Sequence, residues 1–221
     1  MAKVFIGVGH GGSDPGAIAN NVKEKDLNLS IALACRDLLV KHGVSVKMSR
    51  SKDENDTISE EVAECNAYAP DLAVDIHNNA GNGDGGEVFY HHGGGKGKTL
   101  AENILAEIVK VGQNSRGIKT RVNSQGKDYY AFIRNTSCPA VIVECAFVDN
   151  ASDLQILATE SQRKTMGEAI AKGILKTLGV EVQSESGHWK VQVGAYLYRE
   201  NAEAMHRKLK AVGFDAFIVK E

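Results

Sequence analysis

Apolar residues fall in short β-branched runs that alternate with stretches of helical spacing from Lys3 to about Val180. The runs are Val4 to Val8, Val44 to Met48, Leu72 to Ile76, Gly86 to Tyr90 and Ala140 to Val143. Each has a strand's length and β-branched content. Between them Leu27, Ile31, Ala34 and Leu38 lie on one face of a helix that Gly43 closes. Thr57 to Ala69, Lys98 to Val111 and Ser161 to Leu178 predict three more helices, the last after an acidic, polar turn around Asp149 to Asp153. Strands alternating with helices predict an α/β fold, a twisted and mostly parallel sheet flanked by helices in three αβα layers.

The pattern changes after Leu178. Residues 179–188, Gly-Val-Glu-Val-Gln-Ser-Glu-Ser-Gly-His, carry neither period and read as a linker between a main domain, 1–178, and a small unit, 189–221. In that unit Trp189 to Tyr196 alternates as a strand, Arg199 to Val212 has helical spacing and Phe214 to Val219 reads as a second strand. A single βαβ unit of this size cannot bury its own faces, so it needs a partner surface, and a second copy of itself completes a sheet.

Composition narrows the function. With 43% hydrophobic and 24% charged residues the chain is an ordinary globule. A formal net charge of -2 provides no general basic field for nucleic acid, and no apolar run approaches the roughly 18 residues of a membrane span. Met1 to Ile6 reads as the first strand, with no signal peptide before it, which predicts synthesis in the cytoplasm. Cys35, Cys65, Cys138 and Cys145 form no CxxC pair and read as reduced, buried thiols.

His10, His77 and Glu144 each stand just after a predicted strand, where open α/β sheets gather their ligands. If those strands are parallel neighbours, two imidazoles and a carboxylate converge, and Glu24, just ahead of the first helix, reaches the same edge. Two histidines and two glutamates are the set of a catalytic zinc site, with three ligands, one open position and one general base. The dispersed spacing is equally that of structural strand-end histidines, and Glu24, flanked by Lys23 and Lys25, also reads as a solvated charge. Glu144 is different, because its apolar neighbours leave a charge there in need of a partner or a task. The glycine-rich loop around His10 lacks a phosphate-binding fingerprint. Cys145 lies in apolar surroundings that disfavour a thiolate, against a cysteine hydrolase. His91 and His92, in a glycine-rich loop, read as an exposed pair.

Four motifs, in order, resemble the type-3 N-acetylmuramoyl-L-alanine amidases, zinc enzymes of bacterial autolysins and phage endolysins. They are Gly9-His10-Gly11-Gly12-Ser13-Asp14-Pro15-Gly16-Ala17, Glu24, Asp75-Ile76-His77-Asn78-Asn79-Ala80 and Pro139 to Val148 around Glu144. The resemblance implies one zinc per chain held by His10, Glu24 and His77, with Glu144 catalytic and Asn79 and Arg134 facing substrate. It implies hydrolysis of the amide between N-acetylmuramic acid and L-alanine in peptidoglycan, reached after release by holin or cell lysis. A non-catalytic wall-binding protein and a zinc peptidase acting within the stem peptide are the competing readings. Two positions depart from the pattern: Glu61 stands where an arginine is common, and Cys145-Ala146 where Asn-Gly is common. Residues 189–221 resemble one half of a sporulation-related (SPOR) peptidoglycan-binding domain, which implies wall binding or a homodimer through this βαβ unit.

Overall fold

The chain is described here from a computed structural model, at residues 1–182 and 192–220. In order the elements are β1 (Lys3–Val8), β2 (Ile18–Ala19), β3 (Val22–Lys23), α1 (Glu24–Lys41), β4 (Ser45–Met48), α2 (Ile58–Tyr68), β5 (Leu72–Asn79) and β6 (Gly86–Tyr90). There follow α3 (Gly95–Lys110), β7 (Ser115–Lys119), α4 (Ala131–Asn135), β8 (Ala140–Phe147), α5 (Ala151–Leu157), α6 (Glu160–Leu178) and α7 (Arg199–Ala211).

Six strands form one sheet in the order β4-β1-β5-β8-β6-β7. The first four are mutually parallel, so the three strands expected to carry the site are adjacent and run the same way. β6 turns the polarity over, pairing antiparallel with β8, and β7 runs parallel to β6. Strand alternation divides the core in two. One face buries Val4, Ile6, Val74, Val141 and Val143 beneath α1, α3 and α6. The other buries Phe5, Ala73, Phe89 and Ile142 with Cys65 of α2 and Phe132 and Ile133 of α4. The expected α/β layering is the observed one.

Local chemistry explains several helix ends. Thr57 and Glu60 form a capping box on α2, Thr159 and Gln162 form one on α6, and Gly179 ends α6 in the left-handed region. Several elements differ from expectation. β5 and β8 run on to Asn79 and Phe147, which places His77 and Glu144 inside the strands instead of just beyond them. The supposed acidic turn becomes α5, capped by the Asn150 side chain, which accepts the Ser152 and Asp153 N–H groups. The short strands β2, β3 and β7 and the helix α4 carry too little period to be read in advance.

The chain divides into two compact units, 1–182 and 183–221. Of the expected linker, residues 183–188 lie outside the described residues. In the second unit α7 forms, but the described parts of the two expected strands, 192–196 and 214–219, carry no strand. A strand needs a ladder partner for its N–H and C=O groups, and within these described residues neither segment has one. Val193, Leu197, Phe214 and Phe217 are exposed as a result.

α1 and α6 approach so closely that a Cβ on Gly167 would lie 2.3 Å from the Ile31 carbonyl oxygen and 2.9 Å from the Cys35 nitrogen. Backbone on both sides leaves nothing that can swing away. Gly167→Ala should therefore destabilise the main unit by about 1–3 kcal/mol despite alanine's better helix propensity, read as a lower urea midpoint at unchanged slope.

Candidate metal centre

The first helix begins at the site. Glu24 is the first residue of α1 and 4% exposed, so it is neither ahead of the helix nor solvated. Its Oε2 lies 3.1 Å from His10 Nε2 and accepts the Ala17 N–H at 3.0 Å. Its Oε1 lies 3.1 Å from His77 Nδ1 and accepts the Asn78 N–H at 3.1 Å and the Asn28 amide at 3.2 Å. Burial alone would raise this carboxyl, but the hydrogen bonds from His10 and His77 outweigh it and hold it well below the usual range. The positive end of α1 points the same way. Lys25 is buried too, its ammonium bound to the Gly12 carbonyl and Asp53.

The other nitrogen of each imidazole meets an aspartate. Asp14 Oδ2 lies 2.8 Å from His10 Nδ1, and Asp75 Oδ2 lies 3.1 Å from His77 Nε2. Each ring is thereby fixed between a central glutamate and an outer aspartate, the second layer that orients metal-binding histidines. The Glu24 contact holds the His10 ring above its ordinary pKa. For His77 burial opposes the charge, but Asp75 and Glu24 outweigh it and raise the value well above normal. Asp14 and Asp75 were given no role from sequence, although both lie within the motifs.

Glycines make the convergence possible. A Cβ on Gly9 would stand 2.2 Å from the His77 ring, and one on Gly16, at φ 63°, would stand 2.6 Å from both Glu24 Oε2 and the His10 ring. His10 itself is at φ 62°, a left-handed conformation uncommon outside glycine. Arg50, almost wholly buried, locks this turn by donating to the carbonyls of Val8, Gly9 and Lys25. No sequence signal pointed to it.

Glu144 pairs in register with His77 on one side and Glu87 on the other, so all three lie on one face of the sheet. Its Oε2 is buried and has no hydrogen-bond partner among the described residues. Burial pushes its carboxyl up to about 7, against the pull of the His77 charge. Glu87, opposite it, is in the contrary condition. Arg116 donates to its Oε2 at 2.7 Å, Lys119 binds the same oxygen, and Asn79 donates to its Oε1 at 3.1 Å. Burial raises Glu87, but these partners prevail and lower it. Asn79 thus holds Glu87 at the rim of the site.

Arg134 donates to the carbonyls of Asp128 and Tyr129 at 2.7 and 2.8 Å, which employs its guanidinium in fixing a loop. Cys145 faces the opposite core from Glu144, and burial raises its thiol well above the ordinary value. All four cysteines are free, with Cys138 half-buried. Glu61 packs beneath Asp75, where a Cβ on Gly7 would meet Glu61 Oε1 at 2.0 Å and Asp75 Oδ1 at 2.8 Å. Burial, and then the Asp75 charge, hold Glu61 well above the usual carboxylate range.

Fold and cluster together define an α/β enzyme that gathers its chemistry at the carboxyl edge of parallel strands. The chain belongs to the N-acetylmuramoyl-L-alanine amidase family, whose model matches residues 4–176, and residues 170–221 match the SPOR domain. It is 34% identical over 223 residues to the sporulation-specific N-acetylmuramoyl-L-alanine amidase of Bacillus subtilis, covering 99% of this chain and 85% of that one. Among solved structures, Cwp6 from Clostridium difficile is 41% identical with a TM-score of 0.79, over 80% of this chain and 29% of that one. The catalytic domain of CwlV, an N-acetylmuramoyl-L-alanine amidase from Bacillus (Paenibacillus) polymyxa var. colistinus, gives 27% and 0.74 over 82% of this chain and all of that domain.

Because Glu24 raises both histidines, Glu24→Gln should lower the pKa of His10 and His77 in metal-free protein. A proton NMR titration of the imidazoles would show it, and unmoved values would remove Glu24 from the centre of the cluster.

Proposed function

We propose that the chain hydrolyses the amide between N-acetylmuramic acid and L-alanine in bacterial peptidoglycan, with one zinc ion held by His10, Glu24 and His77 and with Glu144 as the proton-transfer group. The observation that carries this is the meeting of two imidazoles and an ionised carboxylate within 4.8 Å, beside the Glu144 carboxyl, whose buried Oε2 has no partner among the described residues. The donor set fits the metal: nitrogen and oxygen ligands, each histidine backed by a carboxylate, in a cradle that a Cβ at Gly9 or Gly16 would fill. When bound at such a site, zinc polarises an amide carbonyl and makes water a competent nucleophile near neutral pH.

The residues of this chain do the rest. Glu144, poised near neutrality, takes a proton from the attacking water and returns one to the departing L-alanine amine. Its burial on β8 shields that proton from bulk water. His10 and His77, held by Asp14 and Asp75, cannot rotate away when substrate enters. Glu87, already neutralised by Arg116 and Lys119, shapes the rim without competing for the proton. The membership of the chain in an amidase family and the endolysin of Bacillus phage SPP1 among its relatives, 33% identical over 190 residues, support a wall substrate.

The second unit supports wall attachment and self-association. Its exposed Val193, Leu197, Phe214 and Phe217 flank a helix with no buried residue, the condition of half a module awaiting a second copy. Light scattering should give twice the monomer mass for the full chain and a monomer for a version ending at Val182. Equal monomer masses would remove the dimer.

The deciding experiment is peptidoglycan digestion with metal analysis. About one chelatable zinc bound through His10, Glu24 and His77, with release of stem peptides that begin at L-alanine, is the expected result. Glu144→Gln should keep that zinc and lose about a hundred- to ten-thousand-fold in turnover. A zinc-free enzyme that still releases these peptides would overturn the metal assignment, and an active Glu144→Gln the role of Glu144.

A further inference from the structure

A second cluster of metal-type ligands lies at the other edge of the sheet. β6 runs antiparallel to β8, with Glu87 opposite Glu144 and Tyr90 opposite Val141, so the chain leaves β6 heading away from the first cluster. His91 and His92 follow at once. They meet Asp128, which arrives on the loop between β7 and α4 and is 3% exposed. His91 Nε2 lies 2.9 Å and His92 Nδ1 2.7 Å from the same oxygen, Asp128 Oδ2, while Oδ1 accepts the His92 backbone N–H at 2.9 Å. The two rings stack with centroids 4.6 Å apart. The carboxylate is fixed from behind as well, because Arg134 clamps the Asp128 and Tyr129 carbonyls.

We propose that His91, His92 and Asp128 form a second divalent-metal site, of the zinc class, which ties the 120–130 loop to the end of β6. Its three donor atoms lie within 4.8 Å of one another, as those of the first cluster do. The two clusters share one metal-free signature: a pair of imidazole nitrogens converging on a single buried carboxylate at hydrogen-bond distance. Imidazole with carboxylate suits zinc and its transition-metal neighbours and is a poor set for magnesium or calcium. The side chains of His91 and His92 are 50% and 44% exposed, which leaves an entry path and room for water in the remaining positions.

The proton count balances. In the metal-free chain His91 Nδ1 accepts the Gly93 N–H at 3.0 Å, so the His91 proton sits on Nε2, facing Asp128. Metal capture moves that proton to Nδ1, and moves the His92 proton from Nδ1 to the outward Nε2, with none released. The Gly93 contact is the one lost. Gly93 is exposed, so water takes its place at little cost.

The test counts zinc. Untagged full-length protein, saturated with zinc and freed of excess, should hold one more zinc per chain than the His91→Asn/His92→Asn variant. As a second arm, zinc should raise the melting temperature of a His10→Asn/His77→Asn chain, and the rise should vanish when His91→Asn/His92→Asn is added. Equal zinc counts, or a melting temperature that zinc leaves unmoved in the His10→Asn/His77→Asn chain, would overturn the second site, whatever the first one does.

Discussion

Everything at the carboxyl edge of the sheet depends on keeping one charged carboxylate, Glu24, out of water. An ionised group buried to this degree is costly unless donors surround it. Glu24 has five: two imidazoles, two backbone N–H groups and the Asn28 amide. Those donors come from the loop after β1, the body of α1 and the end of β5. Satisfying one side chain therefore sets the relative placement of three segments. The left-handed turn at His10, the two glycines that admit the rings and the buried Arg50 that ties down the loop follow from that requirement.

The reversal of polarity at β6 adds something the parallel strands do not supply. It sets Glu87 directly opposite Glu144, two carboxylates on one face with contrasting surroundings. Glu87 sits among a guanidinium, an ammonium and an amide, which lower it; Glu144 is buried with no partner for Oε2 among the described residues, and burial pushes it up to about 7. Environment alone divides the labour between two identical side chains. Arg116 and Lys119 act here by absence, since neither pairs with Glu144.

Much of this was legible because strand and helix periods are strong signals in a well-cored α/β unit. Five of the six strands of the main sheet and four of the helices announced themselves, and the parallel adjacency of β1, β5 and β8 brought His10, His77 and Glu144 together as their positions implied. What escaped detection was what tertiary contact decides. Glu24 read equally well as a solvated charge, since nothing near it in sequence shows that His77 will bury it. Asp75 and Asp128 are ordinary polar residues until the sheet places one beside His77 and a distant loop brings the other to His91 and His92. The tail differs for the converse reason: its alternation has strand character, but among the described residues neither segment has a ladder partner.

The order of the site along the chain has a consequence for biosynthesis. His10, Glu24 and His77 come early, on or before β5, but Glu144 arrives on β8, which inserts between β5 and β6. A growing chain can hold the first cluster and still lack Glu144. β8, at the centre of the sheet, is the last of its six strands to be made, so neither the finished sheet nor the full set of site residues exists before it. An enzyme of this layout completes its sheet and its candidate site in one step of synthesis.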